Sequence, residues 1–284
     1  MKGMRIIDFH THAFPDDLAR RAVPALEAEA DIDAVLDGTV RSLLRSMERA
    51  EIERSVVASI ATKPAQFAPI LEWSRGLRTS HGERLVPFPS VHPDDPDAAE
   101  HVAEIAREGF RGIKIHPYYQ GFSLDEGRID PLFSAIAREG LVLLLHTGFD
   151  IAFPHDRIAD PVKVSLLRDR YPGLILVTSH FGAWKDWDEA ERYILGKPVY
   201  MDISASMEFM GRERARRFLL EHPPEYLLFG SDSPWDDQSS LVERVLSLDL
   251  PRDRLELLLH GNAERLIAGG PGGSRPTGTR RERK

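Results

Sequence analysis

A (β/α)8 TIM barrel is the fold class that this chain predicts, on three observations. Eight short runs rich in Val, Ile, Leu and Phe recur along the 284 residues. Helical patterns alternate with them, and no glycine-rich phosphate loop follows any run, which argues against an open doubly wound sheet. The length also suits one large domain, because barrels of this kind run to about 250 residues without dividing.

The strands are expected at residues 5–10, 55–60, 85–89, 112–116, 141–146, 174–179, 199–203 and 226–230. Each is short and apolar without strict alternation, as in strands covered on both faces. A helix over 39–50 places Val40, Leu43, Leu44 and Met47 at a spacing near one turn. Helices over 96–108, 131–139 and 161–171 each open on proline, and they stop at Gly109, Gly140 and Pro172-Gly173. Segments 189–195, 212–221, 241–248 and 252–259 complete the helical set. Residues 11–37, 118–127 and 149–160 are read as strand-to-helix loops, where substrate specificity would lie. The barrel domain is expected to span residues 1–268. Residues 269–284, glycine-rich and then basic, read as a flexible tail.

Composition narrows the chemistry. The chain has 42% hydrophobic and 29% charged residues, as an ordinary globular protein does. It has no cysteine, which excludes a disulfide scaffold, an iron–sulfur cluster and a thiol nucleophile. A metal site would therefore use nitrogen and oxygen donors. The net charge is −8, and the last sixteen residues are themselves basic, so the body is more acidic still. That is a poor match for nucleic acid. No apolar run reaches the roughly 18 residues of a membrane span, and the N-terminus lacks the apolar core of a signal peptide. A cytoplasmic protein acting on a small molecule is expected, without nucleic-acid or membrane partners and with homo-oligomerisation left open.

The polar residues fall in a telling place. The first strand ends in His10-Thr-His12, the third runs into His92-Pro, and the fourth carries Lys114 and His116. The fifth ends at His146, the sixth at His180, and the eighth runs into Ser-Asp232-Ser-Pro-Trp235. Strand C-termini converge on one face of a barrel, so these residues would meet in one pocket. Side chains two apart face the same way, which puts His10 and His12 together, with Asp8 one layer deeper on the same face. Any one of these histidines alone would read as structural. Together, His10, His12, His146, His180 and Asp232 read as a metal site. Lys114, pointing inward, needs a counter-charge, and Asp8 is placed to supply it. His116, Lys114 and Trp235 are candidate substrate contacts, and Trp184 and Trp187 candidate pocket walls.

With these motifs in view, the sequence resembles the amidohydrolase superfamily, in its amidohydrolase-2 group, which includes decarboxylases of the aminocarboxymuconate semialdehyde and resorcylate type. The matching segments are Asp-Phe-His10-Thr-His12, Gly-Ile-Lys-Ile-His116-Pro, His146-Thr-Gly, Ser-His180-Phe-Gly, Phe-Gly-Ser-Asp232-Ser-Pro-Trp and His-Gly-Asn262-Ala-Glu-Arg-Leu. The resemblance implies a distorted barrel holding one divalent metal ion, zinc first, with manganese or iron as alternatives. It implies ligands at His10, His12, His146 and Asp232, with His180 beside the ion as a catalytic group or added ligand. A second ion bridged through a modified Lys114 stays open.

Hydrolysis of a small amide, lactone or ester follows from that set. Asp232 would take a proton from metal-activated water, and His180 would polarise the carbonyl or protonate the leaving group. The alternative is metal-dependent, non-oxidative decarboxylation of an aromatic or dienoic acid, with Arg41, Arg45 or the Arg157 region holding the acid. A non-catalytic metal-binding scaffold is the third reading.

Overall fold

Eight parallel strands run in sequence order: β1 (Ile7–Thr11), β2 (Arg54–Ala58), β3 (Leu85–Phe88), β4 (Gly112–Ile115), β5 (Val142–Leu145), β6 (Ile175–Thr178), β7 (Tyr200–Asp202) and β8 (Leu227–Leu228). This computed structural model describes residues 3–153 and 155–269, so the expected tail lies, beyond Gly269, outside the described residues. Continuous ladders join β1 to β3 and β4 to β8. Backbone hydrogen bonds close the two seams. Lys114 N–H donates to Pro89 O at 2.9 Å between the third and fourth strands. Between the eighth and first, Phe9 N–H donates to Phe229 O at 2.7 Å, and Asp232 N–H donates to His10 O at 2.7 Å. The expected (β/α)8 barrel is thus the architecture observed.

Strand alternation sorts the apolar residues into two layers. Ile7, Phe9, Phe88, Leu144, Val177 and Leu228 fill the barrel, while Ile113, Ile115, Leu143, Leu145 and Met201 face the surrounding helices. Helix Asn262–Ala268 brings Ala263, Leu266 and Ile267 into the interior cluster, and Asn262 donates to Pro224 O and Leu227 O at 2.7 Å. That helix plugs the end of the barrel opposite the converging strand termini. Among the described residues, no helix is long and apolar enough to cross a membrane.

The short helix Met207–Met210 and the plug helix Asn262–Ala268 lie outside the expected set, and so do two longer helices. Asp16–Ala30 lies inside the segment read as a loop, and Phe67–His81 precedes β3. The first buries only Ala19 and Val23 and contains Pro24, so its apolar period is faint. The second contains Gly76 and an early Pro69, which hide the period of Phe67, Leu71, Ser74 and Leu77.

A bulge corrects the reading of Asp8. The β1–β2 register slips between Asp8 and Thr11, so Phe9 and His10 together oppose Val56. Phe9 packs inside the barrel and Asp8 faces away from it. Its carboxylate accepts from Ser231 N–H at 2.9 Å, Ser231 Oγ at 2.6 Å and Gln238 Nε2 at 2.7 Å. Asp8 therefore ties β1 to the loop after β8, and it does not serve as the counter-charge of Lys114. The extra residue is what turns His10 inward beside His12.

Away from the site, His222 is fully buried, with Nε2 donating to Val199 O at 2.9 Å and Nδ1 accepting from Gly196 N–H at 3.3 Å. Burial pushes its pKa down to about 4, against the hydrogen bond to Val199 O. The unfolded chain binds this proton near pH 6.5, so the contribution is complete above that value and is lost as pH falls from 6.5 toward 4. Between pH 7.5 and 4.5 the loss is on the order of 2 kcal/mol. Urea midpoints of wild type and His222→Gln at both pH values check this. The variant should lose less stability on acidification, and an equal loss in both would refute the assignment.

Candidate metal centre

The C-terminal ends of β1, β5, β6 and β8 deliver the five residues that the sequence singles out. His10, His12, His146 and His180 are buried, and the Asp232 side chain is 15% exposed. Backbone and carboxylate partners decide which nitrogen of each ring carries hydrogen. His12 Nδ1 lies 2.8 Å from Ala58 O, so it donates and leaves Nε2 with a lone pair. His10 Nδ1 donates to Asp202 Oδ2 at 2.9 Å, again leaving Nε2. His180 Nδ1 lies 3.1 Å from Ser204 O, and His146 Nε2 lies 3.0 Å from Phe149 O. The ring lone pairs left are therefore His12 Nε2, His180 Nε2, His146 Nδ1 and His10 Nε2, the last with Lys114 Nζ 2.9 Å away.

These atoms have the spacing of donors around an ion. Metal–ligand bonds of about 2.0–2.2 Å place neighbouring donors about 3–3.5 Å apart. Asp232 Oδ1 lies 3.3 Å from His10 Nε2 and 3.2 Å from His12 Nε2. His180 Nε2 lies 3.1 Å from His146 Nδ1. Two lone pairs at that distance repel unless a cation sits beside both. The residues present thus fit a divalent ion. His10, His12 and Asp232 form one ligand-sized group, and His146 and His180 form a pair next to it, with the His10 and His180 ring centroids 5.6 Å apart.

Electrostatics agree with neutral imidazoles at His10 and His146 and with an ionised acid. Burial lowers His10 to about 4, helped by the nearby Lys114, and burial holds His146 well below its ordinary range. Burial pushes Asp232 up, but the imidazoles of His10, His12 and His180 more than reverse it and hold the carboxyl low. Lys114 is fully buried, with Nζ 2.9 Å from His10 Nε2. Burial brings its pKa down to about 8, resisted by Asp232, Asp202 and Asp150. These three acids, and not Asp8, are its counter-charges.

Two acids were missed from sequence. Asp202 ends β7, where Oδ1 accepts from His180 N–H at 3.0 Å and from Ser204 Oγ at 2.6 Å, and Oδ2 holds His10. A step of two from Tyr200, which faces the barrel interior, would have placed it. Asp150 follows His146 by four residues and lies 3.5 Å from His116 Nε2 and 3.6 Å from His146 Nε2. Its loop position carries no periodic signal. Of the weaker candidates, His116 stacks on His146 with centroids 4.1 Å apart. His92 turns away instead, accepting from Asp94 N–H. Trp235 is half-buried, and its backbone N–H donates to Asp232 O. Trp184 lies edge-on to His180 at 5.8 Å. Arg157 pairs with Asp186 at 2.9 Å, while Arg41 and Arg45 are exposed on helix Val40–Arg49.

The amidohydrolase family model matches residues 7–268. The chain belongs to the amidohydrolase family. It is therefore an enzyme, and the scaffold reading is set aside. None of the curated proteins matches the chain. Solved structures of similar fold include an uncharacterised TIM-barrel protein from Bordetella bronchiseptica, 21% identical with a TM-score of 0.71, covering 93% of this chain and 98% of that one. A 2,6-dihydroxybenzoate decarboxylase from Rhizobium is 15% identical with a TM-score of 0.69, covering 94% and 99%. A 5-carboxyvanillate decarboxylase from Novosphingobium aromaticivorans, complexed with manganese and 4-hydroxy-3-methoxy-5-nitrobenzoic acid, is 16% identical with a TM-score of 0.67, covering 94% and 97%.

Proposed function

We propose that this amidohydrolase-family enzyme catalyses metal-dependent, non-oxidative decarboxylation of an aromatic carboxylic acid. The observation that carries the reading is the set of aromatic rings packed around the candidate ligands. Tyr119 lies 4.8 Å from His116 on one side, and Trp184 lies 5.8 Å from His180 on another. Such rings suit a flat substrate. The similarity to two aromatic-acid decarboxylases over nearly the full length supports the same choice.

His10, His12, His146 and Asp232 would hold the ion, with His180 adjoining them. Imidazole-rich sets suit zinc, and manganese in the similar decarboxylase makes it the first alternative. When bound, the ion would supply positive charge that favours an anionic substrate. Asp202 holds the His10 ring through Nδ1 and fixes the His180 backbone, so both imidazoles are oriented before substrate arrives. In the reaction the carbon–carbon bond to the carboxylate breaks, carbon dioxide leaves, and the electron pair stays on the ring carbon. The ring carbon then takes up a proton, which His180 is placed to relay.

Hydrolysis is the second reading, because Asp232 is held ionised beside two imidazoles and could accept a proton from water. The two separate in one assay series on metal-loaded protein. Carbon dioxide release from 2,6-dihydroxybenzoate or 5-carboxyvanillate is the expected result. Proton release from lactones or amides, with no carbon dioxide from the acids, would overturn the decarboxylase reading.

A further inference from the structure

The four candidate histidine ligands are buried, and Asp232 shows only a sliver of surface. A ring-sized molecule needs more open surface than that, so some covering segment has to move before it can reach them. Residues 15–38 are the segment least held by the core beneath. Among them only Ala19, Val23 and Gly38 are buried, while Leu18 and Val35 are 41% and 49% exposed. A segment with so few buried contacts opens at lower cost than the strands it lies on.

Three attachments show the path of this segment. It leaves β1 directly after His12, and its two ends are joined where Phe14 N–H donates to Gly38 O at 2.9 Å and Phe14 bridges Thr39. Val23 and the Phe14 ring close on Gly38, where a β-carbon would stand 2.5 Å from Val23 Cγ2. At the far end of helix Asp16–Ala30, Glu29 comes near the loops after β4 and β5. Burial raises the pKa values of Asp150 and Tyr119, and the Glu29 charge is among those that raise both further. The return stretch then settles on the loop after β8, where Val35 N–H and Leu36 N–H donate to Pro234 O at 2.8 and 3.4 Å. The first and fifth strands stand on opposite sides of an eight-stranded barrel, so the segment crosses the face that holds the ligands. Glu27 makes it one body, accepting from Ala34 N–H at its carboxylate and from Ile32 N–H at its carbonyl.

We infer that residues 15–38 form a hinged flap over the candidate metal centre, with its hinge at Phe14 and Gly38 and its latch at Pro234 O. The latch lies two residues beyond Asp232, and His12 N–H is tied to Ser233 O at 2.6 Å, so closing the flap also steadies the loop that presents the carboxylate. Opening releases two backbone hydrogen bonds and leaves the joined ends in place. The inference rests on the metal centre and is indifferent to the reaction run there.

Latching the flap covalently tests this. The chain has no cysteine, so Val35→Cys with Trp235→Cys places one thiol pair across the latch. Removal of bound zinc by a chelator should be at least about tenfold slower in the oxidised protein than in the same protein reduced. Equal rates in the two forms would overturn the flap. Val23→Ala, which loosens the hinge, should speed zinc removal severalfold while the Phe9 amide, in the seam with Phe229, keeps its hydrogen-exchange protection. An unchanged rate, or a Phe9 amide that loses protection in step, would also count against it. Hydrogen exchange of the unmodified chain needs no metal. The Val35 amide should exchange about a hundredfold faster than that of Phe9, and equal protection would overturn the flap. Failure to take up zinc would instead sink the metal centre and leave the exchange result to decide the flap.

Discussion

Asp232→Asn is expected to lower turnover by about a thousandfold or more and to release most of the divalent ion. The carboxylate contributes charge as well as position. It sits 3.3 and 3.2 Å from the lone-pair nitrogens of His10 and His12, and an amide of the same shape brings no negative charge to them. An amide nitrogen could also turn its hydrogens toward those lone pairs and so compete with an ion for them. Metal content by elemental analysis, measured beside initial rates, reads both effects in one preparation. Circular dichroism should be unchanged, because Asp232 N–H still pairs with His10 O. Treating the wild type with a chelator should reproduce the loss, and added divalent metal should restore it. A variant that keeps its ion and most of its rate would remove Asp232 from the centre.

Gly148→Ala should cost roughly 3–5 kcal/mol and lower the yield of folded protein. Gly148 adopts φ of 93°, and a β-carbon there would overlap the backbone of Ala183 and Trp184. The neighbours cannot move aside cheaply. Trp184 N–H donates to Thr147 O at 2.8 Å, and Phe149 N–H donates to Trp184 O at 2.9 Å. Tyr118 Oη also donates to Gly148 O at 2.6 Å. A shift there would carry Phe149 O away from His146 and release that ring. Gly121→Ala is the control, since Gly121 has φ of 65° but nothing within 4 Å of a β-carbon. It should cost only about 1 kcal/mol. Urea midpoints of the two variants give the comparison, and equal losses would show that the backbone clash is unimportant.

The strands and the five candidate ligands were legible because both have strong local signals. Apolar runs of four or five residues mark strands buried on two faces, and histidine at several run ends is hard to reconcile with chance. The direction of Asp8 was not legible. Whether a strand keeps strict alternation depends on its pairing with β2, and the one-residue bulge is a property of that pair. Asp202 carries no motif, and its role arises only where β7 lies beside β6. Asp150 sits on a loop whose path is set by tertiary contacts. Helix Asp16–Ala30 escaped because only two of its residues are buried, so little of its pattern reports on the core.

The seam between β8 and β1 has a consequence for how the chain comes into being. A ribosome makes the first strand early and the last one late, so β1 waits with one edge bare until Phe229 and Ser233 are available. An unpaired strand edge invites pairing with another chain. During that interval His10 and His12 lack Asp232, and the helix that plugs the barrel does not yet exist. A nascent or truncated chain should therefore be most vulnerable to aggregation through its own N-terminal strand, until the segment from Phe229 onward arrives to cover it.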